Sequence, residues 1–147
     1  MPRILITGMS GVGKSTLLSV LGNRGHRVID TDYGTWKTAD GLWDEMRLSA
    51  LLDSAPSVVV AGTVENQGRF YDRFDHVVLL SAPEDVILSR VACRTNNHYG
   101  RTESDRREIR TYLQDVEPRL RATATEELHG TDTPDHLADR IEHLLRD

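Results

Sequence analysis

The sequence predicts an α/β fold, a parallel sheet covered by helices on both faces, and three observations carry that expectation. Short β-branched apolar runs alternate with segments whose leucines recur near a helical period. The first run passes through a glycine-rich turn directly into a helix, and glycines or aspartates (Gly8, Asp30, Asp32, Gly62) stand at the carboxyl ends of the runs, where parallel sheets bind ligands. Arg3 to Thr7 is the first strand, followed across the glycines by a helix over Ser15 to Leu21, with Gly22 and Gly25 as stop signals. Arg27 to Ile29 starts a second strand ending in Asp30-Thr31-Asp32, and Tyr33-Gly34-Thr35 reads as a loop. Leu42, Met46, Leu48, Leu51 and Leu52 predict a helix from about Leu42 to Leu52.

Ser57 to Ala61 and His76 to Leu80 are further strands. Pro83, Glu84 and Asp85 open a helix that reaches about Arg94, and the segment from Thr95 to Gly100, with no apolar period, is a loop. Thr102 with Asp105 resembles a capping box at the head of a charged helix that Pro118 kinks or interrupts. Leu128 to Thr131 is the weakest strand pattern, and Thr133-Pro134 starts a last helix with Leu137, Ile141, Leu144 and Leu145 on one face.

A chain of 147 residues fits one domain, and no repeat or linker divides it. Hydrophobic residues at 38%, charged residues at 28% and a mean hydropathy of -0.44 exclude both a disordered chain and a membrane bundle. The amino terminus lacks the apolar core and cleavage site of a secretory signal, so a cytoplasmic protein is expected. Cys93 is the single cysteine, which rules out an intrachain disulfide and a cysteine-based zinc cluster and leaves the role of a small buried hydrophobe. The six histidines are scattered, without the HExxH spacing of a helical zinc site. A net charge of -5 argues against a nucleic-acid partner, although a local basic site stays open. No heptad or exposed strand pattern announces an oligomer interface.

Gly8-Met9-Ser10-Gly11-Val12-Gly13-Lys14-Ser15 fits GxxxxGK[ST] at every fixed position, Thr16 follows, and the strand before and helix after are the context that the motif requires. Glycines let successive backbone amides turn inward onto phosphate oxygens, and the helix amino terminus adds partial positive charge. Lys14 is placed to reach β- and γ-phosphates, and the Ser15 hydroxyl to join the oxygen shell of Mg²⁺. A dinucleotide fingerprint fails on spacing, because Gly8, Gly11 and Gly13 do not make GxGxxG. Tyr33 and Lys37 satisfy YxxxK only by chance, since the pair lies in the wrong part of the chain.

The phosphate loop, Asp30-Thr31-Asp32 closing the second strand, Val58-Val59-Val60-Ala61-Gly62 in the third, and an arginine-bearing segment after the fourth together resemble the small P-loop kinases, the shikimate kinase, gluconate kinase and nucleoside monophosphate kinase group. The resemblance implies a three-layer P-loop NTPase fold with a five-stranded parallel sheet in order 2-3-1-4-5. It also implies ATP and Mg²⁺ as cofactors, an acceptor-binding insert over about residues 33–56 and a lid over about 94–103. By that similarity Asp30 holds the metal through water, and Asp32 binds the acceptor hydroxyl and takes its proton; a solvated turn with an Asx cap is the plainer alternative.

Arg90 and Arg94 share a helical face before the predicted loop and Arg101 lies beyond it, so all three are lid arginines able to neutralise a transferring phosphoryl group, or a solvated face. Arg47 resembles a carboxylate-binding arginine, and Gly62 and Thr63 stand where shikimate kinases carry a run of glycines against their substrate, of which one survives here. Arg69 and Arg73 are anion ligands or surface charges, and Trp36 and Trp43 wall the acceptor pocket or pack in the core. The expected activity is transfer of the γ-phosphoryl group of ATP to a small-molecule hydroxyl or phosphate. The alternative is a nucleotide-binding or ATPase regulatory module without an acceptor. A GTPase switch is disfavoured because neither NKxD nor DxxG follows the loop, and a larger mechanoenzyme lacks room for its extra helical domain.

Overall fold

The computed structural model describes residues 2–9, 11–93 and 102–146. Among them, five strands form one parallel sheet: β1 (Arg3–Thr7), β2 (Val28–Asp30), β3 (Val58–Ala61), β4 (His76–Ser81) and β5 (Glu126–His129). Their order is β2-β3-β1-β4-β5, the order implied by the resemblance. Six α-helices are described: α1 (Lys14–Asn23), α2 (Glu45–Ser54), α3 (Glu84–Cys93), α4 (Glu103–Asp115), α5 (Glu117–Thr123) and α6 (Pro134–Leu145). A 3-10 helix over Gln67–Arg73 joins β3 to β4.

Side chains alternate across the sheet with a period of two, and each face has its own core. Ile4, Ile6, Val59, Ala61, Val78 and Leu80 pack with Leu17, Leu21, Ile87, Ile109, Ala138 and Ile141 from α1, α3, α4 and α6. Leu5, Val58, Val60 and Val77 face the other way, against Leu48, Leu51 and Leu52 of α2, Phe70 of the 3-10 helix, and Trp43. This is the three-layer arrangement. Among the described residues no helix is long and apolar enough to cross a membrane.

Several boundaries shift for physical reasons. α2 begins at Glu45 because the Asp44 carboxylate caps it, accepting from the Arg47 amide at 3.2 Å. α1 runs through Gly22 to Asn23, and the chain turns at Gly25 instead. The last strand lies two residues earlier than the pattern suggests, its register fixed by pairing Val78 to Glu126 and Leu80 to Leu128 on β4. Pro118 occupies the first turn of α5, where a proline costs no hydrogen bond, so the charged helix breaks at Val116. Thr102 and Thr133 cap α4 and α6 through their hydroxyls. Cys93 is exposed, contrary to the expectation of a buried thiol, because it closes α3 on the solvent side. The predicted loop from Thr95 to Gly100 lies outside the described residues.

Candidate active site

At the carboxyl edge of β1, Gly8 adopts φ +151 and Gly13 φ +104, the second as N-cap of α1. A side chain at Gly13 would be strained, and no side chain caps α1. The first turn of that helix, Gly13 to Thr16, instead borders a cavity of about 790 Å³ that is also lined by Gly8, Lys14, Asp32, Thr63 and Arg90. An uncapped helix amino terminus facing an open cavity suits an anion.

Lys14 is half-buried as a residue, but its ammonium turns inward, donating to the Gly8 carbonyl and lying 3.3 Å from Thr63 Oγ1. Burial strips water from the charged form and pulls the Lys14 pKa from 10.5 down to about 8, with the charges of Asp32 and Asp30 opposing and Lys37 adding to the fall. The loop is therefore held ready by its own lysine, at the expense of a poorly hydrated charge.

Thr63, two residues beyond the end of β3, is a hub. Its hydroxyl meets the Gly8 carbonyl at 2.7 Å, the Gly8 amide at 3.0 Å and the Thr7 hydroxyl at 2.9 Å. Buried Gln67 extends the chain, donating to Thr7 Oγ1 at 3.1 Å and meeting the Tyr71 hydroxyl at 2.8 Å. The 3-10 helix is thus wired to the glycine loop through polar groups that are all satisfied.

Asp30 ends β2 with both carboxylate oxygens in use: Oδ2 accepts from Ser15 Oγ at 2.7 Å and Oδ1 from the Asp32 amide at 3.1 Å. The Asx turn and the ligand-like pairing with Ser15 coexist. Thr31 points back into the protein, where its hydroxyl donates to the Ala61 carbonyl at 2.8 Å, which leaves Asp32 on the cavity side. Lys37 lies 2.6 Å from Asp32 Oδ1. The bridge between Lys37 and Trp43, together with the Trp43 indole donating to Thr31 Oγ1 at 3.0 Å, anchors that loop in the core.

The remaining expected residues scatter. Arg90 donates to the carbonyls of Val12 at 3.2 Å and Gly130 at 2.7 Å, standing between the main cavity and a smaller one of about 250 Å³ lined by Gly130, Asp132 and Pro134. Gly62 is buried under Trp43 and Thr31, away from the cavity lining, and Trp43 is 1% exposed and packs edge-on to Phe70 with ring centroids 5.8 Å apart. Arg47 bonds the Thr35 hydroxyl on the surface. Arg69 pairs with Glu45 at 3.2 Å over a different, shallow depression, and Arg73 pairs with Asp53. Met9, Gly11 and Thr16 line the cavity with the rest of the loop, and Val12 is buried beneath it. Ser10, Arg94, Arg101 and most of the expected lid lie outside the described residues.

Sequence reasoning gave no site role to Tyr33, Lys37 or two residues of α4, Glu108 and Tyr112, which also line the cavity, and named Thr63 only beside Gly62. Thr63 carried a signal, since it follows a strand end on the binding edge of the sheet. The capping box announced α4 as a helix, but nothing local placed it over the cavity, a position set by Ile109 in the core. Among the described residues no group of three or more His, Cys, Asp or Glu gathers as a metal cluster.

The architecture is shared with solved kinases. Shikimate kinase from Acinetobacter baumannii in complex with shikimate superposes with a TM-score of 0.72 at 21% identity, covering 98% of this chain and 92% of that one. Shikimate kinase from Bacteroides thetaiotaomicron matches with a TM-score of 0.72 at 19% identity over 99% of each chain. A gluconokinase from Sinorhizobium meliloti 1021 gives a TM-score of 0.64 at 18% identity, covering 99% of this chain and 94% of that one. No curated protein matches the sequence. The fold is that of the small P-loop kinases. A family model described as an AAA domain matches residues 4–111, from within β1 through most of α4, and the chain belongs to that family.

Proposed function

We propose that the protein is a cytoplasmic phosphotransferase that moves the γ-phosphoryl group of ATP, with Mg²⁺, to a hydroxyl of a small molecule. The observation that carries this reading is the meeting of Lys14 and Asp32 on one cavity: a nucleotide switch needs the lysine, but a second acid on the same cavity, held in place by Lys37, serves an acceptor.

The residues fit both cofactors. The uncapped start of α1 and the inward Lys14 suit a polyphosphate, and the smaller cavity past Arg90, rimmed by Asp132, suits the base. Ser15 and Asp30 offer a hydroxyl and a carboxylate 2.7 Å apart, an all-oxygen donor pair of the kind that Mg²⁺ takes with waters and phosphate oxygens. When bound there, the ion neutralises phosphate charge.

In the proposed reaction Asp32 Oδ accepts the proton of the acceptor hydroxyl. The oxygen attacks the γ-phosphorus, the bond between that phosphorus and the β,γ-bridging oxygen breaks, and ADP leaves with the bond electrons. Lys14 holds the β- and γ-oxygens in place, Lys37 fixes the base, and Arg90 braces the glycine loop by tying it to Gly130. Arg94 and Arg101, outside the described residues, are proposed as further positive charge for the phosphoryl group. Arg47, Gly62 and Arg69 are not needed for this step.

The test is ATP consumption across a library of polyols, sugar acids and nucleosides. Turnover that depends on one added compound and vanishes in Asp32→Asn supports the reading. Intact ATP binding with no dependence on any acceptor favours a regulatory module.

A further inference from the structure

We infer that Tyr112 is the residue by which this site distinguishes a nucleoside triphosphate from a diphosphate, its phenol donating a hydrogen bond to the terminal phosphoryl group. The inference rests on the proposed use of the cavity for a nucleotide.

Tyr112 lies on α4 and lines the same cavity as Lys14 and Thr63. Its oxygen is shut off from solvent, yet among the described residues it has no hydrogen-bond partner, the one buried side-chain polar atom so placed. Buried hydroxyls are nearly always satisfied, and an orphan beside a binding cavity marks a place where a ligand supplies the partner.

The neighbouring hydroxyl explains why the protein does not supply it. Thr63 faces the phenol, but its lone pairs already receive the Gly8 amide at 3.0 Å and the Lys14 ammonium at 3.3 Å, and its proton is directed to Gly8 or Thr7. Those contacts also locate the phenol. A group facing Thr63 stands beside the phosphate-gripping ammonium, whereas the smaller cavity suited to the base has no tyrosine in its lining. Burial pushes the Tyr112 phenol up to about 12, the Thr63 hydroxyl opposing, so at neutral pH it keeps its proton and is a donor. A neutral donor in a water-poor site matches a charged phosphoryl oxygen, and such bonds are among the stronger ones.

The experiment is calorimetric titration of the full chain with a non-hydrolysable ATP analogue and with ADP, each with magnesium, comparing wild type with Tyr112→Phe. Loss of one charge-assisted bond is expected to weaken the triphosphate about tenfold and to leave ADP within about twofold. Equal weakening of both nucleotides, or of neither, overturns the inference while leaving nucleotide binding intact. Failure of the wild-type chain to bind either nucleotide overturns the nucleotide reading together with this one. Should the variant not fold, the ¹³Cζ resonance of Tyr112 in the wild-type protein, assigned by elimination with single Tyr→Phe variants of the other three tyrosines, decides: its movement with the triphosphate analogue and not with ADP supports the contact, and its staying still refutes it.

Discussion

Lys37 holds Asp32 by an ion pair of 2.6 Å, and the backbone bridge from Lys37 to Trp43 ties that pair to the core. The carboxylate is half exposed and the ammonium partly so, which keeps the pair's contribution to stability at about 1 kcal/mol or less and makes positioning its main effect. Asp32→Asn should lower turnover by about 10² or more while ATP affinity stays within about twofold, since the amide no longer accepts a proton. Lys37→Met should leave the melting temperature within a few degrees and reduce kcat more than it changes the KM for ATP. Steady-state kinetics with thermal melts check both.

The buried ammonium of Lys14 gives a pH signature. Its pKa of about 8 lies below the ordinary 10.5, so between those values the unfolded chain binds more protons, and this group adds stability to the empty protein as pH rises through that window. Phosphate in the loop restores the charge. ATP binding at pH 8 should therefore take up about half a proton, falling toward zero below about pH 6.5, as read from calorimetry in buffers of different ionisation enthalpy. Lys14→Ala should abolish the uptake.

Gly62 offers a contrast between contact with an acceptor and a packing role. A Cβ there would collide with Thr31 Oγ1 and come 3.3 Å from the Trp43 ring. Gly62→Ala should cost about 1–3 kcal/mol of stability by displacing Trp43 and breaking its bond to Thr31. Chemical denaturation measures that loss; a change in acceptor KM with unchanged stability would instead place Gly62 against the substrate.

Arg90 spans two carbonyls, so Arg90→Ala should raise the KM for ATP more than it lowers kcat, with Arg90→Lys recovering little because a single ammonium does not span Val12 and Gly130. A fall in kcat alone would indicate contact with the transferring group.

The glycine loop was legible because its chemistry is written in contiguous residues, and the alternation of strands and helices was legible because period-two and period-3.6 patterns are local. Asp30 and Asp32 could be placed at a strand end, but their division of roles came from the family resemblance alone; the inward turn of Thr31, which leaves Asp32 on the cavity side, is a tertiary contact. The 3-10 helix over Gln67–Arg73 had no sequence period to announce it. Trp43 against Gly62, Arg90 against Gly130 and Tyr112 beside Thr63 are contacts between distant segments, created by packing and absent from any local pattern.

Binding of magnesium ATP to the wild-type chain and to Lys14→Ala, followed by isothermal calorimetry, tests the central claim most directly. The expected result is a single site in the wild type, weakened at least about tenfold in the variant while its melting curve stays cooperative. Equal binding by both proteins, or no binding by the wild type, would contradict a phosphate grip at the head of α1.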